Sequence, residues 1–283
     1  MTRVLGIDVG GTKVAIGMSA ADGPALSAHV RLDTGPDTLA RALAAARAMD
    51  GAPTAVGFST CGVIRDGVVR LAPNVPGWEG LELPRLLQEA YGATPVAIDN
   101  DVNAAAAAEL RWGALRGVST GVYLNLGTGL AAALVVDGRV MPGAHGAAGE
   151  IGYLQVTPGE PAFADGRVPL EERVSGGALA ARGAALLGRP VTTAELLGGD
   201  HARELVDEAL RTLAMSVANL CVVLDPERLV VGGGMMGAAE LILPRLTAEL
   251  GRAVPFPPEV RPARFADEAP LLGALALARA AVA

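Results

Sequence analysis

Short apolar runs, separated by turns rich in glycine and proline, are the main pattern in the first hundred residues. Continuous apolar stretches bounded by turn residues predict buried β-strands. Between these runs, apolar residues recur at intervals of three and four, which predicts α-helices. The predicted strands are residues 4–9, 14–18, 55–59 and 96–98, and the predicted helices are residues 37–49 and 83–91.

The alternation of strands and helices continues through the rest of the chain. A helix is predicted over residues 102–112, so Asn100 and Asp101 lie at its N-terminus, and Gly113 is expected to end it. A longer helix over 203–223 precedes a strand at 229–231. The prolines and glycine of residues 71–78 predict an irregular loop. Strands alternating with helices are typical of an α/β fold.

Two strand–turn–strand segments carry similar glycine turns. The first reads Asp8-Val9-Gly10-Gly11-Thr12-Lys13, and the second reads Asn125-Leu126-Gly127-Thr128-Gly129, at an offset of 117 residues (125 − 8). This repeat predicts two related α/β halves facing one cleft. Backbone N–H groups in such turns form anion-binding nests, so the pair is expected to hold a polyphosphate.

Composition narrows the possible partners. The chain has 283 residues, 51% of them hydrophobic, and a net charge of −7. A negative chain without a basic stripe is not expected to bind nucleic acid. No apolar run is long and uninterrupted enough for a membrane span. The first strand follows Met1 within a few residues, so we expect no signal peptide and a cytoplasmic protein.

Taken together, these motifs resemble those of the ROK family of bacterial sugar kinases. The resemblance rests on the two glycine turns, on residues 100–105, on Gly143–Gly152 and on residues 230–234. It implies the actin-like, hexokinase-like ATPase fold, with duplicated ribonuclease H-like halves and an interdomain cleft. It also implies an N-terminal domain of residues 1–113, with the C-terminal helix 270–283 packed back on it, and a C-terminal domain of residues 114–269.

The resemblance implies roles for the residues that surround ATP. Asp101 is expected to be the general base that accepts the proton of the sugar 6-hydroxyl. Asp8 is expected to hold Mg²⁺, through water. Gly232, Gly233 and Gly234 are expected to pass close to the adenosine, and the residues of the two glycine turns are expected to bind the nucleotide at its phosphates: Gly10, Gly11, Thr12, Lys13, Gly127, Thr128 and Gly129.

Sugar recognition needs hydrogen-bonding groups around a ring of hydroxyls. The resemblance assigns this role to Asn74, Asn100, Asp101, Glu150, Tyr153 and Glu171. Tyr153 stands where the family has a His, which puts plain glucose in doubt. The substrate is therefore expected to be a hexose phosphorylated at its primary hydroxyl, or a modified sugar or cyclitol such as kanosamine, N-acetylmannosamine or a C7-cyclitol.

The chain departs from the family at the structural zinc site. The four ligand positions of the family fall on Tyr153, Ala162, Ala164 and Pro169, and neither Ala nor Pro can bind a metal. We therefore expect no structural zinc, and residues 159–168 are expected to form a looser loop held by hydrophobic contacts.

Two other classes of protein are alternatives to a sugar kinase. One is a sugar-sensing protein that no longer catalyses, and the other is an actin-like filament protein. The first is disfavoured because Asp8, Asp101 and both glycine turns are intact, and the second because Asn100 and Asp101 together with Glu150 match the family's sugar contacts. A homodimer is implied by the resemblance alone.

Overall fold

A computed structural model describes residues 3–72 and 75–282 of the chain. The chain divides into two compact units. The N-terminal unit comprises Met1–Arg116, Pro142–Ala148 and Asp267–Ala283, and the C-terminal unit comprises Gly117–Met141 and Gly149–Ala266. The domain boundaries at residues 113/114 and 269/270 stay a prediction.

Strands and helices alternate in both units. The strands are β1 (Val4–Val9), β2 (Lys13–Ser19), β3 (Ala28–Asp33), β4 (Ala55–Thr60), β5 (Val63–Arg65), β6 (Val68–Arg70), β7 (Val96–Asn100), β8 (Gly121–Leu126), β9 (Leu130–Val136), β10 (Arg139–Val140), β11 (Arg228–Gly232) and β12 (Glu259–Pro262). The α-helices are α1 (Thr38–Arg47), α2 (Leu83–Tyr91), α3 (Asp101–Trp112), α4 (Glu171–Val174), α5 (Gly176–Leu187), α6 (Thr193–Gly198), α7 (Arg203–Leu224), α8 (Ala239–Ala253) and α9 (Ala269–Ala280).

Each unit contains one five-stranded sheet, and the two sheets have the same topology. The order is β3-β2-β1-β4-β7 in the N-terminal unit and β10-β9-β8-β11-β12 in the C-terminal unit. In both sheets the first three strands pair antiparallel and the remaining pairs are parallel. This confirms the duplication predicted from the two glycine turns.

Most predicted elements are present within one or two residues of their expected ends. The bounds of β1 and α2 are as predicted, and Gly113 follows α3 as its C-cap. Asp37 occupies the N-cap position of α1 in a left-handed conformation, and its side chain makes no capping hydrogen bond. The Thr38 hydroxyl bonds the backbone of Gly35 instead, because the loop turns back on the helix start.

Several elements were not predicted. The edge strand β3 alternates exposed residues with partly buried Val30 and Leu32, so it lacks a continuous apolar run. Helices α5, α6 and α8 were also not predicted. Helix α6 is short and ends at Gly198, with Gly199 as its C-cap. These helices belong to the C-terminal unit and form part of the site described below.

Buried apolar residues fill one core in each unit. In the N-terminal unit, the fully buried Ile7 of β1 and Phe58 of β4 belong to this core, and α9 packs on α3 and on the other face of the same strands, at Gly6 and Gly57. In the C-terminal unit, Leu213 and Val217 of α7 pack with Leu229 of β11. Within the part of the chain that the structure describes, no helix combines the length and apolar character that a membrane crossing requires.

Candidate active site

The turn between β1 and β2 is formed by Gly10, Gly11 and Thr12. Gly10 N–H donates to Lys13 O at 2.9 Å and closes the turn. The N–H groups of Gly11 and Thr12 donate no hydrogen bond to any described residue. Two successive N–H groups without a protein acceptor, in a turn whose Gly11 and Thr12 are exposed, make a suitable anion-binding nest.

Asp8 lies at the end of β1 beside this turn, and its side chain is buried. The buried Ser59 hydroxyl donates to Asp8 Oδ1 at 2.7 Å. Burial raises the pKa of Asp8 to about 7; the Ser59 hydrogen bond opposes this rise, the charge of Asp101 adds to it, and that of Lys13 opposes it. Ser59 was not predicted as a site residue, because it is separated from Asp8 by 51 positions.

The junction of β7 and α3 holds the next two predicted residues. Asn100 is the N-cap of α3, and its side chain accepts from Asn103 N–H at 2.7 Å. Asp101 is the first helical residue, and its Oδ1 accepts from Val102 N–H at 2.9 Å. Asn100 is therefore the N-cap, and Asp101 is only partly exposed, with its carboxyl group mostly surrounded by protein.

Burial raises the pKa of Asp101 to about 6, and hydrogen bonds from the N–H groups of Val102 and Asp101 itself limit the rise. The charge of Asp101 also contributes to the raised pKa of Asp8, so the two carboxylates are close enough to interact. A carboxylate with a pKa near 6 is well suited to act as a base at neutral pH.

The turn between β8 and β9 is formed by Gly127, Thr128 and Gly129. Its carbonyl groups at Gly127 and Thr128 accept from the N–H groups of Gly176 and Gly177, at 2.9 and 3.0 Å. A Cβ atom on Gly176 would lie 2.7 Å from Gly127 O, so only glycine allows this approach. The N–H groups of Thr128 and Gly129 donate to no described residue, which makes a second anion-binding nest.

A cleft of about 950 Å³ opens beside this second turn, within the C-terminal unit. Its walls are mainly aliphatic and include Val191, Leu197 and Met236. The lining residues are 127–128, 176–177, 180, 191–194, 197–198 and 234–241. This volume and lining are typical of a small-molecule site.

The three predicted adenosine glycines have different surroundings. Gly234 lines the cleft, and Gly232 and Gly233 pack against β8. A Cβ on Gly232 would lie 2.3 Å from the Tyr123 hydroxyl, and one on Gly233 would lie 2.4 Å from Leu126 O. The cleft-wall residues 191–194 and 197–198 were not predicted as site residues.

Glu150, Tyr153 and Glu171 are neighbours in the C-terminal unit. Leu170 N–H donates to Gly152 O at 3.0 Å, which joins the segment of Glu150 and Tyr153 to the start of α4. Glu171 Oε2 accepts from Leu130 N–H at 2.8 Å, directly after the second glycine turn. The structure therefore places Glu171 beside the second nest, and it places Glu150 and Tyr153 on a backbone segment joined to the start of α4. Asn74 lies outside the described residues.

The segment at the expected zinc positions is held by polar contacts. Glu160 accepts from Thr157 N–H at 2.9 Å and from Arg173 Nη2 at 2.6 Å. These bonds, the Thr157 bond foremost, lower the pKa of Glu160 to about 2. The Tyr153 and Phe163 rings meet edge to face with centroids 5.5 Å apart. The ring contact agrees with the expected hydrophobic contacts, but the hydrogen bonds from the loop backbone to the carboxylates of Glu160, Asp165 and Glu172 were not predicted.

The side chains that could hold a metal ion are few. Among the described residues, no group of three or more His, Cys, Asp or Glu side chains is placed to hold a metal ion. Mg²⁺ commonly binds through one or two carboxylates together with substrate phosphates. Asp8 fits that pattern, because its carboxylate lies beside a nest suited to phosphate.

Family and sequence comparisons cover nearly the whole chain. The family model described as "ROK family" matches residues 4–281. The N-acetylmannosamine kinase of Shigella flexneri is 32% identical over 98% of this chain and 98% of its own length. The kanosamine kinase of Amycolatopsis mediterranei is 32% identical over 97% of this chain and 95% of its own.

Solved structures show the same similarity. The ROK hexokinase of Thermus thermophilus has a TM-score of 0.84 and 34% identity, with 99% of each chain covered. A ROK family glucokinase of Streptomyces griseus, solved in complex with glucose and AMPPNP, has a TM-score of 0.79 and 28% identity, with 98% of this chain and 99% of its own covered. The expected actin-like, hexokinase-like ATPase fold is thereby confirmed.

Proposed function

The chain belongs to the ROK family of sugar kinases, and from that premise we propose that it transfers the γ-phosphoryl group of ATP to the primary hydroxyl of a hexose or hexose-like sugar, with Asp101 as the general base. The observation that carries this proposal is the Asp101 carboxylate at the start of α3, with its pKa raised to about 6. A cytoplasmic location and a homodimer stay predictions.

The reaction needs a base for the acceptor hydroxyl and groups that position the phosphates. Asp101 accepts the hydroxyl proton while the hydroxyl oxygen bonds to the γ-phosphorus and the bond to the leaving ADP oxygen breaks. Each glycine turn offers N–H groups suited to binding phosphate oxygens. When bound, Mg²⁺ supplies neutralisation of phosphate charge, and Asp8 would hold it through water.

In the proposed assignment, the cleft of the C-terminal unit takes the adenosine. Its aliphatic walls can enclose the base, and the Gly127–Gly129 turn at its margin would bind the phosphates. Thr193 supports this arrangement, because its hydroxyl donates to Gly176 O at 2.6 Å and so ties the cleft wall to the start of α5.

The acceptor is either a hexose such as glucose or a modified sugar. The 32% identities to an N-acetylmannosamine kinase and a kanosamine kinase support the second possibility, and the 34% identity to a ROK hexokinase supports the first. The deciding experiment is an ADP-release assay with ATP and a panel of glucose, mannose, fructose, N-acetylmannosamine, N-acetylglucosamine, kanosamine and a valienol-type cyclitol. Absence of turnover with every acceptor, in protein that binds Mg–AMPPNP, would contradict the proposed reaction.

The kcat/KM for the sugar should fall as the pH is lowered, with an apparent pKa of about 6. Asp101 must be ionised to accept a proton, and its pKa of about 6 leaves roughly a tenth of it ionised at pH 5. The measurement is kcat/KM for the sugar between pH 4.5 and 8.5. Mg–ATP is kept at a saturating concentration, so that titration of Asp8 does not change how much nucleotide is bound. A flat profile down to pH 5 would exclude Asp101 as the base.

Replacing Tyr153 by His should change acceptor preference. The substitution exchanges a phenol for a smaller imidazole, and one buried hydrogen bond gained or lost contributes about 0.5–1.5 kcal/mol. We expect the ratio of kcat/KM between glucose and N-acetylmannosamine to shift about tenfold, with the KM for ATP unchanged.

Phe163→Leu is the matched control for Tyr153→His. It removes the ring that contacts Tyr153 and leaves the phenol in place. If Phe163→Leu shifts the acceptor ratio as much as Tyr153→His does, Tyr153 acts through packing and not through its polar group. An unchanged ranking in both variants would favour plain glucose.

A further inference from the structure

Thr34, the residue directly after β3, bonds both ends of the first glycine turn. Its hydroxyl donates to Gly10 O at 2.7 Å, and its N–H donates to Thr12 O at 3.1 Å. The residue after Thr34 is also held in place. The buried Thr38 hydroxyl accepts a hydrogen bond from Gly35 N–H and donates one to Gly35 O.

These bonds fix the direction of N–H groups as well as carbonyls. A trans peptide is planar, and its C=O and N–H point in opposite directions. The carbonyl of Gly10 shares its peptide plane with the N–H of Gly11, and the carbonyl of Thr12 shares its plane with the N–H of Lys13. A donor that fixes the direction of the Gly10 carbonyl therefore also fixes the direction of the Gly11 N–H, which points to the opposite side of the peptide.

The second glycine turn shows the same arrangement with different donors. There the carbonyls of Gly127 and Thr128 are held by the backbone N–H groups of Gly176 and Gly177. In both turns, two carbonyls accept hydrogen bonds from another segment of the same unit: those of Gly10 and Thr12 in the first turn and those of Gly127 and Thr128 in the second. Among the described residues, a side-chain hydroxyl is one of these donors in the first turn only, so there the side chain of a single residue fixes the direction of an N–H group of the nest.

We propose that Thr34 is a positioning residue for phosphoryl transfer: its hydroxyl holds the Gly10–Gly11 peptide so that the Gly11 N–H is directed at a phosphate oxygen of the nucleotide. The inference rests on the proposed function, because it takes the first turn to be a phosphate site. Thr34 itself lies on the carbonyl side of the turn and does not touch the nucleotide.

The test uses three variants of the full chain. Thr34→Val removes the hydroxyl, keeps the branched shape and keeps the backbone N–H bond to Thr12 O. Thr34→Ser keeps the hydroxyl. Thr54→Val is the matched control, because the exposed Thr54 likewise donates with both its N–H and its hydroxyl to a backbone carbonyl, that of Arg3, at 2.8 Å each.

The measurements are the affinities for Mg–AMPPNP and for adenosine by calorimetry, and the steady-state constants for ATP and sugar. Thr34→Val should weaken Mg–AMPPNP binding and lower kcat/KM for ATP by about three- to tenfold, as expected for one lost hydrogen bond. Adenosine affinity and the KM for sugar should stay unchanged. Thr34→Ser should lie within about twofold of the wild type, and so should Thr54→Val.

The results separate positioning from simple stability. Equal Mg–AMPPNP affinity in Thr34→Val and wild type would overturn the proposal. A parallel loss of adenosine affinity, or the same loss in Thr54→Val, would overturn it too, since the effect would then not be specific to the phosphate turn. A wild-type chain that binds no Mg–AMPPNP would overturn the proposed function itself and the inference with it.

Discussion

Asp101→Asn should lower kcat by about 10²–10⁴-fold while sugar affinity stays within a few-fold of the wild type. Asn keeps an oxygen that can accept from Val102 N–H, so the start of α3 is preserved. It cannot accept a proton at neutral pH, so the base is removed without a change of shape. The measurements are kcat from ADP release and sugar affinity by calorimetry.

Asp66→Asn is the matched control for this experiment. Asp66 belongs to the same unit, its side chain is 86% exposed, and its left-handed backbone conformation suits Asn as well as Asp. We expect turnover of Asp66→Asn to equal that of the wild type. Near-wild-type kcat in Asp101→Asn would rule out Asp101 as the base, and equal losses in both variants would point to a global effect of the substitution.

Asp8→Asn should lower kcat/KM for Mg–ATP by about 10²–10³-fold, the usual effect of removing a preorganised electrostatic group. The carboxylate lies beside the first nest, and Asn still accepts from the Ser59 hydroxyl. Charge is therefore lost while the local hydrogen bond remains. A rise in the concentration of Mg²⁺ needed for half-maximal rate is the specific readout, and unchanged Mg²⁺ dependence would contradict the role assigned to Asp8.

The same Asp8→Asn variant should be more stable than the wild type at pH 8. Because burial raises the folded-state pKa of Asp8 to about 7 from an ordinary 3.8, ionised Asp8 opposes folding. Below pH 4 the wild type bears no such penalty; the penalty grows as the pH rises toward 7 and levels off above it. The advantage of Asn should reach roughly 2–4 kcal/mol by this linkage.

Urea unfolding at pH 4.5 and pH 8 measures this difference. A constant gap between Asp8→Asn and wild type at the two pH values would show that Asp8 does not titrate as described. A gain in stability at pH 8 together with lost activity would show that the site retains an unfavourable buried charge for its function.

Much of this protein follows from short stretches of sequence. Apolar runs bounded by glycine predicted β1 and β4, and the resemblance of local motifs correctly identified the family. The position of Asp101 at the start of α3 was also evident, since a polar pair directly before an alanine-rich stretch marks a helix N-terminus. These features depend on residues that are only a few positions apart in the chain, so they can be identified from the sequence alone.

Contacts between distant segments decided what the same residues can do. Ser59 meets Asp8 across 51 positions, Glu171 meets Leu130 across 41, and Thr34 meets Gly10 across 24. The raised pKa of Asp101 comes from burial, and burial depends on which elements cover a residue. Sequence by itself determined which groups carry the chemistry, because motif and helix signals are local. Only the tertiary structure decided their charge state and orientation, because desolvation and hydrogen bonding come from segments that packing brings together.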